Sequence, residues 1–229
     1  YNYAFDNPIR FTDPDGMRPD DIHVRLNRVK NKDGSITINA SVTINLTIVD
    51  SKGTFGNAHR IDLQQKVSEA FSGSFTSKNR DNMSIMTNVD VQLNATVVND
   101  VDKAKSTDYI ISLVDNIPAQ NTTEGFINPV GIAKDDVGAV ERLHSGTYIN
   151  NVATHELGHI LGLSHTPGTI MDKNTDKDPK KVNINTNSSQ KKELWGWFEN
   201  LTDGFHKNRM GTQEDSREEM KKLKKSSTN

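Results

Sequence analysis

The sequence predicts a mixed α+β domain, and three observations carry that prediction. One segment alternates strictly between apolar and polar residues, one repeats its apolar residues at helical spacing, and one is almost continuously apolar. In the alternating segment, Ile36, Ile38, Ala40, Val42, Ile44, Leu46 and Ile48 share one face. Thr37, Asn39, Ser41, Thr43, Asn45 and Thr47 share the other, which describes a half-buried strand. Ile22 to Val29 precedes it across the turn Asn31-Lys32-Asp33-Gly34, giving a hairpin. Asn57 to Phe71 sets Leu63, Val67, Ala70 and Phe71 along one side of a helix. Val89, Val91, Leu93, Ala95 and Val97 alternate with polar residues as a second half-buried strand. Tyr109 to Val114, apolar apart from Ser112, suits a central strand covered on both faces.

The pattern from Pro118 to Gly146 is irregular, and Phe126 to Ala133 reads equally as an edge strand or a surface loop. A helix follows, with Asn150 or Asn151 as its cap and Val152, Leu157, Ile160 and Leu161 as its packing residues. After it, Lys173 to Lys181 is a charged loop, and Ser188 to Leu201 repeats Leu194, Trp197, Phe198 and Leu201 at helical spacing. Past Gly204 apolar residues are few. Ser216 and Glu219 suit a capping box and Glu218 and Lys222 a one-turn pair, on a solvated helix or a frayed tail.

The chemistry is concentrated in residues 155–165, His-Glu-Leu-Gly-His-Ile-Leu-Gly-Leu-Ser-His. His155 and His159 stand four apart, so a helix presents both imidazoles on one face, where they can grip one metal ion. Glu156 sits beside the first, placed to take a proton from a metal-bound water. Gly162 ends the helix in the left-handed region open to glycine, and the turn brings back His165 as a third ligand. Three protein ligands leave a fourth position of tetrahedral zinc for water, which marks a catalytic site. The bare HExxH pattern arises by chance in roughly one chain in a hundred, and the added glycine and histidine lower that about a thousandfold.

The string His155-Glu156-x-x-His159-x-x-Gly162-x-x-His165 resembles the metzincin zinc metalloproteases. Thr169-Ile170-Met171-Asp172 is similar to that family's methionine turn, with Pro167-Gly168 as the bend before it. The resemblance implies a twisted mixed sheet with an active-site helix, a methionine turn, a C-terminal helix, bound Zn2+ and peptide-bond hydrolysis with Glu156 as catalytic residue. It also implies Gly162 and Met171 as structural supports, and an edge strand that pairs with an extended substrate backbone. Asp172 stands where several members have an assisting tyrosine, so oxyanion stabilisation from this turn is not implied; Tyr148 is a weak substitute that reads more simply as a packing residue.

Residues 1–17, from Tyr1 to Met17 through Asn7-Pro8 and Asp13-Pro14-Asp15-Gly16, resemble the segment that closes the core of Rhs (YD-repeat) proteins. Asn-Pro, Asp-Pro and Asp-Gly are also ordinary turn dipeptides. The Rhs resemblance implies a toxin domain behind a repeat shell, delivered into a target cell or secreted, with a cognate immunity protein as partner. It implies autoproteolysis near Asp13, Asp15, Gly16 and Met17. The division expected is 1–17 as the end of an Rhs core, 18–203 as the protease domain and 204–229 as a charged tail. Two other readings stay open: a secreted or self-processing protease without a toxin role, and a non-catalytic end of the shell stapled by zinc.

Composition narrows the rest. The 229 residues carry a formal net charge of −2, which gives no basic face for nucleic acid. With no cysteine, disulfides, thiolate metal sites and cysteine-based latency are excluded. No apolar run reaches membrane-spanning length. Asp135, Asp136 and Asp172 lack a recognisable calcium spacing and read as solvated loop acids. His23, His59, His144 and His206 read as structural or surface residues, with His144 a distant candidate for substrate binding or a fourth ligand.

Overall fold

A computed structural model describes residues 22–105, 108–122, 125–127, 129–145, 148–173, 185–202 and 216–226. Asp13, Asp15, Gly16 and Met17, His206 and most of the Lys173–Lys181 loop lie outside them. The fold is mixed α+β, built on a twisted seven-stranded mixed sheet.

Strands β1 (Ile22–Lys30) and β2 (Ile36–Val49) form the expected antiparallel hairpin. Helix α1 (Asn57–Phe71) then crosses over, and after β3 (Gly73–Lys78) the long strand β4 (Ser84–Val98) lies parallel to β2 along its whole length. That register sets Asn39 beside Asn88 and Asn45 beside Asn94, with side-chain amide bonds of 2.9 and 3.0 Å, so the polar face of the sheet satisfies itself. The opposite edge of β2 is shared: β1 pairs with its first part, and β5 (Tyr109–Val114) pairs in parallel with Leu46 to Val49. A separate hairpin joins β6 (Gln120–Thr122) to β7 (Gly125–Ile127), and the main sheet ends in β8 (Gly131–Lys134) paired antiparallel with β9 (Val137–Glu141).

Phe126 to Ala133 is therefore neither one edge strand nor one loop. Its first residues belong to the small hairpin and its last three to the edge strand β8. The strand β3 escapes the sequence reading because Phe75 is its one large apolar residue, alternating with polar neighbours on an edge.

One face of the sheet carries the main core. Val42, Ile44, Leu46, Val91, Tyr109 and Ile111 pack there against Leu63 and Val67 of α1 and against Val152 and Leu157 of α3 (Ile149–Ile160). Helix α4 (Ser188–Thr202) joins the same core through Leu194, Trp195 and Phe198. The expected stripe placed the wrong tryptophan in the core: Trp195 is buried and Trp197, two residues on, only half-buried. The other face is closed over β5 and β9 by helix α5 (Ser216–Ser226), whose Met220 is fully buried with Val49, Val101, Ala104, Ile110 and Val137. The solvated or frayed end expected of this segment is thus a docked helix. Its Lys221 pairs with Glu218 at 2.9 Å and reaches Asp102 at 2.7 Å. Ser216 Oγ is buried without a hydrogen-bond partner, so it does not cap the helix.

Candidate metal centre

Helix α3 is the spine of the site. It begins two or three residues earlier than expected, with Tyr148 at the N-cap and no side-chain capping bond, so Asn150 and Asn151 lie in its first turn. Asn150 instead pins α3 to α1, donating from Nδ2 to the His59 carbonyl at 2.8 Å and to Asp62 Oδ2 at 2.7 Å. Tyr148 stands at the far end of the helix from the histidines, roughly 10 Å of helical rise from His155.

The helix ends as the glycine requires. Gly162 has φ +86°, its N–H donates to the His159 carbonyl at 2.9 Å, and Leu163 N–H reaches back to the Gly158 carbonyl at 2.9 Å. This pair of bonds is a Schellman stop, with Leu163 buried behind it. The reversed chain then carries His165 to the metal face of α3. The ligand nitrogens of His155, His159 and His165 lie within 4.8 Å of one another.

Two carbonyls fix the tautomers. His155 Nδ1 lies 2.8 Å from the Ile170 carbonyl and His159 Nδ1 lies 2.8 Å from the Leu163 carbonyl. A carbonyl oxygen only accepts, so both Nδ1 atoms carry the proton and both Nε2 atoms present lone pairs. Those Nε2 atoms face each other at 3.0 Å, and His159 Nε2 lies 3.1 Å from His165 Nε2. With both rings neutral no proton lies between His155 and His159, and the two lone pairs converge as ligands to one cation would. Tetrahedral zinc with nitrogen ligands at about 2.05 Å needs them about 3.3 Å apart, close to what the side chains already present. The residues fit the metal.

Electrostatics agrees with coordination. Burial depresses the His155 pKa to about 4, reinforced by His159 and His165 and opposed by the bond to the Ile170 carbonyl. Burial also lowers His159. Both rings are neutral near pH 7, the form that binds metal.

The neighbours of the triad are set by packing. Met171 is fully buried, with its sulfur against Gly158. The turn that holds it is closed by Met171 N–H to Thr169 Oγ1 at 3.1 Å and by Gly168 N–H to Asp172 Oδ2 at 2.8 Å. Glu156 is 1% exposed, and its carboxylate lies against Gly131 of the edge strand β8. Gly131 and Gly158 were not singled out in the sequence. The glycine inside the His-Glu-Leu-Gly-His helix was the one available signal, since helix interiors disfavour glycine.

The other candidates do not join this site. Asp135 and Asp136 form the β8–β9 turn while Asp172 closes the methionine turn, and among the described residues the three histidines are the one metal-ligating group brought together. Asp136 is also buried rather than solvated. His59 stacks on Phe55 with ring centroids 5.4 Å apart, His23 is exposed on β1, and the side chain of His144 lies outside the described residues. No helix of the described residues is long and apolar enough to cross a membrane.

No curated protein matches the chain. The matrixin family (peptidase family M10) matches residues 6–194, most of the sequence, and with a triad built to hold zinc the chain belongs to that family of zinc-dependent metalloproteases.

Proposed function

We propose that this metalloprotease is a metzincin-type endopeptidase in which Glu156 is the general base and His155, His159 and His165 hold the zinc. The observation that carries this is the convergence of the three Nε2 atoms on one face of α3 with the Glu156 carboxylate one residue away and beside an open sheet edge. Bound zinc supplies a Lewis acid that lowers the pKa of a coordinated water from about 15.7 toward 7 and polarises a carbonyl. Glu156 accepts the proton of the attacking water and returns it to the leaving amine. β8 is the last strand of the main sheet among the described residues, and an extended protein substrate would lie along its outer edge as an added strand.

Purified protein with one zinc per chain should hydrolyse an unstructured protein such as casein, and a chelator should stop it. Glu156→Ala should keep its zinc and lose about a hundred- to ten-thousandfold in rate, while His159→Ala should lose both zinc and activity. Wild-type turnover by zinc-loaded Glu156→Ala would remove glutamate from the mechanism.

The biological role in this proposal is that of a toxin domain of an Rhs-type protein, delivered from a larger bacterial chain into a competing cell and restrained by an immunity protein. The motif Asp13-Pro14-Asp15-Gly16-Met17 supports it. Expression in the cytosol of a sensitive bacterium should arrest growth, and Glu156→Ala should not. In the full-length protein, sequencing the N-terminus of the small fragment should place the cut near Met17 in both wild type and Glu156→Ala. A cut that vanishes with Glu156→Ala would assign processing to the zinc site and replace the toxin reading with self-processing.

A further inference from the structure

We propose that Gly131 is a positioning residue for Glu156: the missing side chain at the start of β8 is what lets the carboxylate rest against the edge strand. The inference rests on the reading of Glu156 as general base and adds what holds that base in place.

Helix α3 packs across β8 and β9, and the residues facing it there are small. Register pairs Gly131 with Val140 and Ala133 with Gly138, so these four share the face toward the helix. At Gly138 an added carbon would press on the Ile132 carbonyl oxygen at 3.1 Å, but it would meet Glu156 only at its Cβ, 3.6 Å away. Gly131 is different. A carbon added there would lie 2.3 Å from Glu156 Oε1 and 2.9 Å from Cδ, the reactive end of the side chain. The same carbon would lie 2.6 Å from Val152 Cγ1.

Those distances have two different consequences. Glu156 has more rotatable bonds than Val152, so a methyl group at 131 displaces the carboxylate before it displaces the helix. Val152 is β-branched, fully buried and held by its helix, so it yields less readily. The backbone at Gly131 is not in the left-handed region, so alanine meets no conformational objection there. The requirement for glycine comes from space alone, and the first atom displaced is a carboxylate oxygen.

Position matters because Gly131 belongs to the strand whose free edge lies at the border of the sheet. A carboxylate resting on that backbone is held at a fixed distance from whatever pairs with the edge. Displacing a catalytic group by about 1 Å can cost about a hundredfold in rate.

The test compares zinc-loaded wild type with Gly131→Ala, Val152→Ala, Gly131→Ala/Val152→Ala, and Glu156→Asp with and without Gly131→Ala. Zinc content, Tm, kcat and KM are measured on one peptide substrate. Gly131→Ala should bind one zinc per chain, keep KM within about threefold and lose about a hundredfold in kcat. Adding Val152→Ala relieves the methyl–methyl conflict, so the double variant should regain Tm and not kcat. Glu156→Asp withdraws the carboxylate by one methylene; it should cost activity when Gly131 is intact and much less when combined with Gly131→Ala, a coupling that a general packing defect would not produce. Gly131→Ala at the wild-type kcat, recovery of kcat by Val152→Ala, or additive losses with Glu156→Asp would each overturn the positioning role. The base reading is read separately: full activity in Glu156→Gln overturns both, whereas inactive Glu156→Gln with fully active Gly131→Ala overturns only the role of Gly131.

Discussion

The sulfur of Met171 occupies the space that a side chain at Gly158 would need. A carbon added at Gly158 would lie 2.3 Å from Sδ and 3.0 Å from Cε. Gly158 sits on α3 between His155 and His159, and Met171 follows the residue whose carbonyl orients His155, so this contact joins the methionine turn to the metal-binding helix. Glycine inside a helix ordinarily costs about 1 kcal/mol against alanine. Here Gly158→Ala should reverse the sign, costing about 1–3 kcal/mol by overpacking and weakening zinc binding through a displaced Ile170 carbonyl. Calorimetry and zinc titration check it, and an alanine variant as stable and as tight as wild type would mean that Met171 moves aside freely.

Met171→Leu keeps the bulk and apolar character against Gly158, a swap that usually costs less than about 1.5 kcal/mol. The variant should retain its zinc and lose activity at most moderately. Loss of zinc from a folded Met171→Leu protein would give the sulfur a role beyond support.

Much of this was legible because the periods were clean. The alternation from Ile36 to Ile48 is β2, the pattern from Asn57 to Phe71 is α1 to the residue, and the spacing of His155, His159, Gly162 and His165 gave the triad geometry. What failed depended on tertiary partners. The strand β3 carries too little apolar surface to announce itself, and it exists because β4 offers an edge. The carbonyls of Ile170 and Leu163, which set the histidine tautomers, leave no mark in residue type. Gly131 was hidden for a related reason: its significance is the space it leaves for a residue 25 positions away, at Glu156.

The docking of helix α5, though not the helix itself, was unforeseen because a single methionine in a lysine-rich stretch looks like a solvated end. Met220 nevertheless fills a fully buried site against Ile110 and Val137. Met220→Ala should cost about 2–5 kcal/mol, as for other buried large-to-alanine changes. Urea unfolding should show this as a lower midpoint at unchanged slope. A variant with wild-type stability would mean that α5 is not docked in solution.

Asp136 makes a prediction that depends on pH. Burial, with Asp135 adding to it, raises its pKa from 3.8 to about 6. The folded protein therefore holds this proton more tightly than the unfolded chain, and stability declines as pH rises from about 4 through about 6. Above that window the full cost remains, on the order of 1–3 kcal/mol. Asp136→Asn should accordingly raise stability at pH 7.5 and give no gain at pH 4. An equal effect at both pH values would show that the asparagine acts through packing rather than charge.

The histidines give the opposite sign. His155 has a folded pKa of about 4 against 6.5 for a free imidazole, chiefly because the ring is buried. In the zinc-free protein the unfolded chain binds the proton more readily. The stability carried by the neutral ring is thus fully present above pH 6.5 and is lost as pH falls through about 4. A shift of that size corresponds to on the order of 3 kcal/mol for His155, and the lowered pKa of His159 acts in the same direction. His155→Asn removes the titrating ring, so the stability difference between chelated wild type and this variant should shift toward the variant as pH falls from 7 to 4. Zinc requires the same neutral rings, so acidification of the loaded protein should release metal over a lower pH range than for free imidazole ligands. Parallel stability curves for wild type and His155→Asn across that range would show that the buried ring is not held neutral by the fold.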